Sequence, residues 1–474
     1  YGLAMNISAE LNDTLTLRSI SAWRQDRSFT PIDFDSLPSV DVDVPALYKN
    51  EQTSQEFQLV YDSDKLKGLV GFYYLGAKSS TQFDVILGTT GPLLGLPGLN
   101  SYTEGDVRTS TWSVFGDFTY DFSDMFAVSL GGRYTSDKRR SKILRQTKIN
   151  GASPLFGGTG VAIATATDFT GSAKFTDFNP RASLSFKPNE DHLLYASYAQ
   201  GFKGGGFDPR GDARIAVDTD RNGVRSYQEI YDFFLFDPET VDSYELGWKG
   251  SLGGLNMALT GFYGDYKNVQ IPGSVGVDAN NDGIFESFAG VTTNAAKANF
   301  KGVEFETNAR FARDFAGDGS MLTFSGTVGY IDGKYKSYIV NNVDVSALRR
   351  IQNTPKWTTS ATLGARFAVA SGLLNASTTL SYRSKTNQFE TPSPFLDQKG
   401  YSLIDASLVW NSDDDRFTLG LHGKNLANKK YITSGYQFLS TAADGSINRT
   451  AGGAVIPTLG REGIATAFYG NPRQ

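Results

Sequence analysis

Long stretches of this chain alternate strictly between apolar and polar side chains, and this pattern limits the available folds more than any other feature. The clearest stretch is NFKGVEFETNARF at 299–311. One face carries Val303, Phe305, Thr307, Ala309 and Phe311, and the other carries Gly302, Glu304, Glu306, Asn308 and Arg310. Because the side chains of a β-strand point alternately to opposite faces, the pattern predicts a strand with one apolar and one polar face.

The connections between such stretches alternate in length. Short turns lie at 11–13, 61–66, 121–124, 188–191, 252–254, 312–320, 370–372 and 411–415. Long segments lie at 26–49, 79–105, 141–166, 204–237, 272–294, 338–354, 390–400 and 438–470. We predict sixteen strands, at about 3–11, 14–25, 50–61, 67–78, 106–122, 125–140, 167–187, 192–203, 238–251, 255–271, 295–311, 320–337, 355–369, 373–389, 401–411 and 416–437. In an up-and-down meander, all tight turns then lie at one end of the sheet and all long loops at the other.

The strand lengths and the polar faces predict a membrane barrel. Many strands exceed the roughly 5–6 residues usual in soluble proteins and the roughly 9–11 that cross a bilayer at a tilt. A closed sheet has no edges, and a barrel this wide has no dry core, so polar residues would face a wet lumen and apolar residues lipid. We expect an all-β, transmembrane antiparallel up-and-down β-barrel in the bacterial outer membrane, with short periplasmic turns and long extracellular loops.

Aromatic residues make up 13% of the chain, and several lie near predicted strand ends, where they would form belts at the membrane interfaces. They are Trp112, Tyr120, Tyr134, Tyr195, Trp248, Tyr263, Trp357 and Trp410. A large soluble β-protein such as a propeller is the alternative. It would have short strands and a repeat of about 40–50 residues, which this sequence lacks.

Composition excludes several classes of protein. The net charge of −5 gives no reason to expect a nucleic-acid partner. With no cysteine, there can be no disulfides, thiolate metal sites or cysteine nucleophile. The two histidines, His192 and His422, are far apart, so we do not expect an enzyme.

One stretch within the 204–237 segment, DTDRNGVRSYQE, has the spacing of a calcium-binding loop. Its candidate ligands are Asp218, Asp220, Asn222, the carbonyl of Val224, Ser226 and Glu229, with Gly223 at the turn. A second string at 278–286 offers Asp278, Asn280, Asp282, Ile284 and Glu286. The alternative is that Asp, Asn and Gly simply form turns. No helical periodicity flanks the first string, so we expect a calcium-ordered extracellular loop rather than a sensor; no other cofactor is required.

Three further motifs have competing interpretations. The aromatic stretch YDFFLF, with Tyr231, Phe233, Phe234 and Phe236, either packs its loop or contacts a ligand. The basic run DKRRSK at 137–142 faces lipopolysaccharide, meets an anionic ligand or is simply solvated. FKGGGF at 202–207 lacks phosphate-loop spacing, which favours a flexible exit from a strand.

Several phrases resemble one family when taken together and in order. They are FNPRASLSFKPNEDHLLYASYAQGFKGGGFDPR (178–210), ETVDSYELGWKGSL (239–252), LNMALTGFYGDYKNVQI (255–271), NFKGVEFETNARF, NTPKWTTSATLGARF (353–367) and YSLIDASLVWNSDDDRFTLGLHGKNLANKKYI (401–432). This set is similar to the barrel of TonB-dependent outer-membrane receptors, across nearly the whole chain.

The resemblance implies a 22-stranded barrel around an N-terminal plug, importing a scarce ligand with energy from the TonB complex. The ligand could be a ferric siderophore, cobalamin, a glycan or an aromatic compound, and outer-membrane lipid and lipopolysaccharide would surround the barrel. On the family's topology our sixteen strands are its sixth to twenty-first. We therefore expect residues 1–474 to be a partial barrel domain that lacks the plug, the early strands and the last strand.

Two other functions remain open on the residues alone. A passive, porin-like channel fits a count of sixteen strands. An outer-membrane barrel enzyme would need a nucleophile and a base, for which the two separated histidines provide no arrangement.

Overall fold

The structure, a computed structural model, describes residues 1–277, 287–340, 343–442, 444–458 and 463–474. Its strands are β1 (Gly2–Asn12), β2 (Leu15–Asp33), β3 (Asp43–Asp62), β4 (Leu66–Ile86), β5 (Asn100–Asp121), β6 (Phe126–Ile149), β7 (Val161–Asn189), β8 (His192–Lys203), β9 (Gly206–Phe207), β10 (Leu235–Phe236), β11 (Glu239–Leu252), β12 (Leu255–Val277), β13 (Ser287–Phe311), β14 (Met321–Val340), β15 (Val343–Asp344), β16 (Trp357–Ala368), β17 (Gly372–Arg383), β18 (Tyr401–Ser412), β19 (Thr418–Gly423), β20 (Ile432–Gln437) and β21 (Ala465–Tyr469). The helices are α1 (Thr90–Leu93) and α2 (Tyr227–Phe234), with 3₁₀ turns at Pro154–Phe156, Ala213–Ile215 and Ser346–Leu348.

Sixteen of these strands form one antiparallel meander, as predicted. Setting aside the short β9, β10 and β15, each strand from β1 to β19 pairs with the next along the chain. Among the described residues no pairing joins β1 to β19, so the sheet is not closed. The tight turns all lie at one end of the sheet, the end that is expected to face the periplasm.

The strands differ from the predicted bounds mainly at the extracellular end. β3 begins at Asp43 rather than near 50, and β4 continues to Ile86 rather than to 78. Lipid requires apolar–polar alternation only within the bilayer, so the sequence pattern ends there. The backbone hydrogen bonds between strands continue above the bilayer, and the strands are therefore longer than predicted.

The last predicted strand, 416–437, was wrong in its second half. β19 ends at Gly423, and the chain then leaves the sheet before it forms β20, which pairs with β21 instead. Asn425 and Asn428 have φ values of 49° and 50°. This left-handed conformation, which Asn tolerates better than most residues, turns the chain out of the strand.

The two faces of the meander differ as the alternation predicts. Leu246 and Leu130 are 67% and 60% exposed on the apolar face. On the same face, aromatic pairs lie eight or nine residues above the periplasmic turns: the Trp112 and Tyr134 rings are 5.6 Å apart, and those of Tyr244 and Tyr263 are 6.3 Å apart. Such a belt marks the extracellular edge of a lipid-facing band. In the described residues, no helix is long and apolar enough to cross a membrane.

The buried core lies at the extracellular end, on the lumen side. One cluster joins Val42, Val44, Phe83, Val85 and Leu99, with Phe34 and Phe438 packed against it. Phe83 and Val85 lie on the face of β4 opposite to Phe72 and Tyr74, which are exposed apolar residues. The upper loops therefore fold inward over the mouth of the barrel.

The extracellular mouth as candidate functional site

A second inward-folded unit fills the mouth between β8 and β11. Residues 204–238 form β9, a 3₁₀ turn, α2 and β10, and β9 pairs with β10. We call this segment the mouth loop. Its strand pair brings its two ends together, so the loop is a compact unit attached to the wall.

The mouth loop packs against the lumen faces of β6 and β7. Phe234 and Phe207 are 1% and 5% exposed, and they join Ile143 and Phe169 of the wall in one cluster. Ile143 lies on the face of β6 opposite to Leu130 and Tyr134, which face outward. Apolar burial of this kind favours docking because it removes large side chains from water.

A buried polar contact fixes the register of that docking. Arg145 of β6 is fully buried and donates from Nε to Ser101 Oγ at 3.0 Å and from Nη1 to the carbonyl of Arg210 at 2.9 Å. Its Nε lies 3.9 Å from Asp212 Oδ2. Thr167 Oγ1 accepts a hydrogen bond from the amide of Ala213 at 2.9 Å.

The far side of the mouth loop reaches β13. Asp208 holds Arg210 at 2.8 Å and accepts a hydrogen bond from Thr292 Oγ1 at 2.8 Å. The amide of Gly290 donates to the carbonyl of Arg210 at 3.1 Å. The loop thus spans the inner wall from β6 to β13.

The glycine run FKGGGF is packed tightly, which differs from the flexible exit predicted. Gly204, Gly205 and Gly206 are all buried. A Cβ on Gly205 would lie 2.3 Å from the carbonyl oxygen of Phe236, and one on Gly204 would lie 2.3 Å from Asp137 Oδ2. Gly205 requires glycine because two pieces of backbone meet there, whereas a Cβ at Gly204 would displace the Asp137 side chain.

Within the mouth loop, the first predicted calcium string does bring carboxylates together. Oxygens of Asp218, Asp220 and Glu229 lie within 4.8 Å of one another. The amide of Gly223 donates to Asp218 Oδ2 at 2.8 Å, and that of Asn222 donates to both aspartates at 3.2 Å. The hydrogen bond from Gly223 is the main cause that lowers the pKa of Asp218.

Glu229 closes the loop. It accepts hydrogen bonds from the hydroxyl and amide of Thr219 at 2.5 and 2.6 Å, and from the amide and hydroxyl of Ser226 at 2.8 and 3.0 Å. The Thr219 hydroxyl contributes most to lowering the pKa of Glu229 to about 2. Its carboxylate is therefore charged throughout the neutral range, as a cation ligand must be.

The prediction that no helix flanks this string was wrong on one side. α2 begins directly after Ser226, whose hydroxyl accepts from the amide of Glu229 while the Glu229 side chain accepts from the amide of Ser226. This reciprocal arrangement stabilises a helix start even where the helix is short and aromatic. Upstream of Asp218 the structure has the 3₁₀ turn Ala213–Ile215.

The other predicted site residues are placed as follows. Val224 is exposed, and its amide donates to Asn222 Oδ1 at 2.7 Å. The second string, with Asp278, Asn280, Asp282, Ile284 and Glu286, lies outside the described residues. Of the aromatic cluster, Phe234 is buried, while Tyr231, Phe233 and Phe236 are half-buried. Tyr231 donates its hydroxyl to the carbonyl of Ser172 at 3.0 Å, so the cluster packs the mouth loop on the wall.

Comparison with known proteins decides the family. A family model described as TonB dependent receptor-like, beta-barrel, matches residues 1–426. The chain belongs to this family. It is accordingly a membrane-integral β-barrel of the bacterial outer membrane, from a family of receptors rather than enzymes.

Relatives of this receptor barrel include the pesticin receptor of Yersinia enterocolitica serotype O:8 / biotype 1B. The two are 22% identical over 449 residues, which cover 93% of this chain and 56% of that receptor. The receptor barrel therefore spans about half the length of this curated relative.

Solved structures share the fold. The ferric yersiniabactin uptake receptor FyuA from Yersinia pestis aligns with a TM-score of 0.69 at 19% identity, over 100% of this chain and 59% of that one. The siderophore receptor PiuA from Acinetobacter baumannii aligns with a TM-score of 0.62 at 16% identity, over 99% of this chain and 64% of that one.

Sequence reasoning missed the polar anchors of the receptor barrel's mouth, namely Arg145, Asp208 and Asp212. Their importance comes from contacts across tens of residues, which no local pattern encodes. The Ser226–Glu229 spacing, by contrast, is a recognised helix-start signal, and it could have revealed α2.

Proposed function

We propose that this barrel belongs to an active importer that takes up a ferric siderophore or another large nutrient across the outer membrane, with energy from the TonB complex. The observation that carries the proposal is the family match over residues 1–426. Coupling to TonB would run through a plug segment outside the present sequence, and the chain would be the barrel part of that longer receptor.

The choice of a ferric siderophore as first candidate rests on the relatives. Two similar structures are those of a ferric yersiniabactin uptake receptor and a siderophore receptor. Cobalamin and glycans remain the other ligand classes. Besides packing the loop, Tyr231, Phe233 and Phe236 are the proposed ligand contacts, because each keeps part of its surface exposed, whereas Phe234 is fully buried.

Uptake of radiolabelled ferric siderophores by cells tests the function. A strain with the full gene should accumulate iron from at least one siderophore, and deletion of either this gene or TonB should abolish that accumulation. A passive channel is the alternative. It would admit small solutes without TonB and show no saturable high-affinity uptake.

We also propose that residues 218–229 bind calcium and that the ion orders the mouth loop. Three converging carboxylates, two of them with lowered pKa, support this. Asn222, Ser226 and the carbonyl of Val224 would complete an oxygen shell, which is what calcium prefers. Affinity in the range of about 10⁻⁴–10⁻³ M would suit an extracellular site.

A further inference from the structure

Five exposed cations lie together on the upper part of β5, β6 and β7. They are Arg108 of β5, Lys138, Arg140 and Lys142 of β6, and Lys174 of β7. We call them the basic patch. Three of them come from the run DKRRSK, whose role the importer function leaves unexplained.

The basic patch faces outward from the barrel. Arg108 lies on the same strand face as Trp112, Lys138 on that of Tyr134, and Lys174 on that of Phe178, all of which are exposed apolar-face residues. The opposite face at this height is buried beneath the mouth loop, where Ser141 and Ile143 are fully buried. The patch therefore cannot contact anything inside the lumen.

The strand register places like charges directly opposite each other. Arg108 pairs with Arg140 across β5 and β6, and Lys138 pairs with Lys174 across β6 and β7. Like charges in such cross-strand positions destabilise a sheet unless an anion lies between them. A cavity of about 170 Å³ opens here, lined by Asp106, Arg108, Arg140, Lys142 and Thr170.

The acids of this face offset the charge of the patch only in part, because Asp106 alone lies opposite a patch cation, Lys142. Among the described residues, none of the five cations forms an ion pair. Asp106 is held by Lys78 at 3.9 Å and by Ser80, and Glu104 accepts from Tyr102 at 2.7 Å. Asp168 lies two residues from Thr170 on the same strand face, nearer the extracellular end of β7, and is not opposite a cation of the patch.

Two other outward cations above the aromatic belt are paired with acids. Lys267 lies 2.8 Å from Asp242, and Lys336 lies 2.6 Å from Asp265. Arg27 of β2 and Lys49 of β3 also face each other in the register and form no ion pair among the described residues, so the basic patch is distinguished by its five cations and not by being unpaired.

We propose that the basic patch binds the phosphate groups of lipopolysaccharide in the outer leaflet. Arg108 and Lys138 each lie four residues above a belt aromatic, which is roughly 10 Å along the membrane normal for tilted strands. That height is the headgroup layer, where phosphates of the anionic glycolipid meet the protein surface. Arginine forks bind phosphate oxygens in pairs, and a phosphate between Arg108 and Arg140 relieves their repulsion. This proposal depends on the outer-membrane location and not on the imported ligand.

The test measures lipopolysaccharide retained by the full receptor purified from outer membranes in mild detergent, by native mass spectrometry. R108Q/R140Q should retain about tenfold less than wild type, since each cation near an anionic membrane surface adds appreciably to binding. R108K/R140K should restore most of it. K267Q/K336Q is the matched control, because it removes two cations that also lie above the aromatic belt but are already paired with aspartates. It should retain the wild-type amount of lipopolysaccharide.

Thermal unfolding gives a second readout, because the order of the two unfolding temperatures should differ without and with lipopolysaccharide. In lipopolysaccharide-free detergent R108Q/R140Q should unfold at a temperature equal to or above that of wild type, since repulsion is removed. With lipopolysaccharide added, wild type should gain stability and the variant should not. Dephosphorylated glycolipid, phosphatidylglycerol and inorganic phosphate are the comparison ligands, and none should stabilise wild type to the same extent.

Equal retention by R108Q/R140Q and wild type would overturn the proposal, and so would equal losses in R108Q/R140Q and K267Q/K336Q. Equal stabilisation by dephosphorylated glycolipid or by phosphatidylglycerol would also overturn it. A destabilised R108Q/R140Q barrel in lipopolysaccharide-free detergent would assign the patch a structural role instead. Siderophore uptake is scored separately, so failure of either proposal leaves the other standing.

Discussion

Arg145 and Asp212 are both fully buried, and the Arg145 Nε lies 3.9 Å from Asp212 Oδ2 across the junction between wall and mouth loop. Arg145 belongs to β6, which crosses the membrane, whereas Asp212 belongs to the loop that covers the mouth. The same guanidinium also donates to the loop carbonyl of Arg210 at 2.9 Å. One wall side chain therefore satisfies both a charge and a backbone group of the loop.

Replacing Asp212 with Asn should release the mouth loop from the wall. The change removes the charge that lies 3.9 Å from the buried Arg145, and breaking one partner of a buried pair costs about 3–5 kcal/mol. Limited proteolysis within 204–238 should become much faster, with the barrel itself still folded. R214Q is the control: it removes the half-exposed arginine 2.7 Å from Asp212 and should have a smaller effect. Unchanged cleavage in D212N would show that apolar packing alone docks the loop.

Two adjacent residues of β13 should respond oppositely to the same substitution. Phe305 lies on the lipid face opposite Leu259, midway between the belt residue Tyr263 and the periplasmic end of β12, and Glu306 is exposed on the lumen face. Phe305→Arg places a charge in hydrocarbon at a cost of about 2–4 kcal/mol near the midplane, whereas Glu306→Arg stays in water. Heat-modifiable mobility on gels and urea unfolding should show a weakened F305R barrel and a near-normal E306R barrel. The reverse order would mean that the faces are assigned wrongly.

The sixteen strands could be predicted because lipid and lumen impose a repeating rule on every residue between the tight turns. That rule ends at the aromatic belt, so the strand extensions above it, such as the upper half of β4, escaped prediction. The break of 416–437 into two strands depends on two asparagines with positive φ, which turn chemistry allows but does not require.

The mouth could be predicted only in part. The local spacing of Asp218, Asp220 and Glu229 predicts that their carboxylates converge, and in the structure these carboxylates do lie together. The docking of Phe207 and Phe234 against Ile143 follows from tertiary contacts between distant segments, which a single sequence does not reveal.

The buried Asp84 should make the upper end of β4 sensitive to pH. Asp84 lies well above the belt residue Tyr74, outside the membrane, where β4 contacts the 3₁₀ turn Pro154–Phe156. Burial raises its pKa to about 6 from an ordinary value of 3.8, and Lys148 offsets only part of this. Between these two values the folded state holds a proton that the unfolded state lacks. The contribution of Asp84 to stability is therefore greatest below about pH 4 and is lost as pH rises through 6, by about 3 kcal/mol in all.

Asp84→Asn should remove that dependence. Hydrogen exchange of residues 79–86 and 150–160 should quicken in wild type between pH 4.5 and 7.5 after correction for intrinsic rates. In D84N it should stay constant, and the two proteins should match at pH 4, which serves as the internal control. A wild-type profile that is flat over this range would contradict the assignment.

Calcium should protect the mouth loop from proteolysis, and the protection should depend on charge rather than on the turn. In wild type, millimolar calcium should slow cleavage within 218–229, and a chelator should reverse the effect. Glu229→Gln is the informative variant. Glutamine at this position can still accept the hydrogen bonds that start α2, but it removes one of three converging charges. E229Q and D218N should therefore keep a folded loop and lose its calcium response.

Asp232 is exposed on the same helix and hydrogen-bonded to Gln228 at 2.7 Å, so D232N is the matched control and should respond to calcium as wild type does. If chelator leaves wild-type cleavage unchanged, the acidic string serves only as a turn and as the cap of α2.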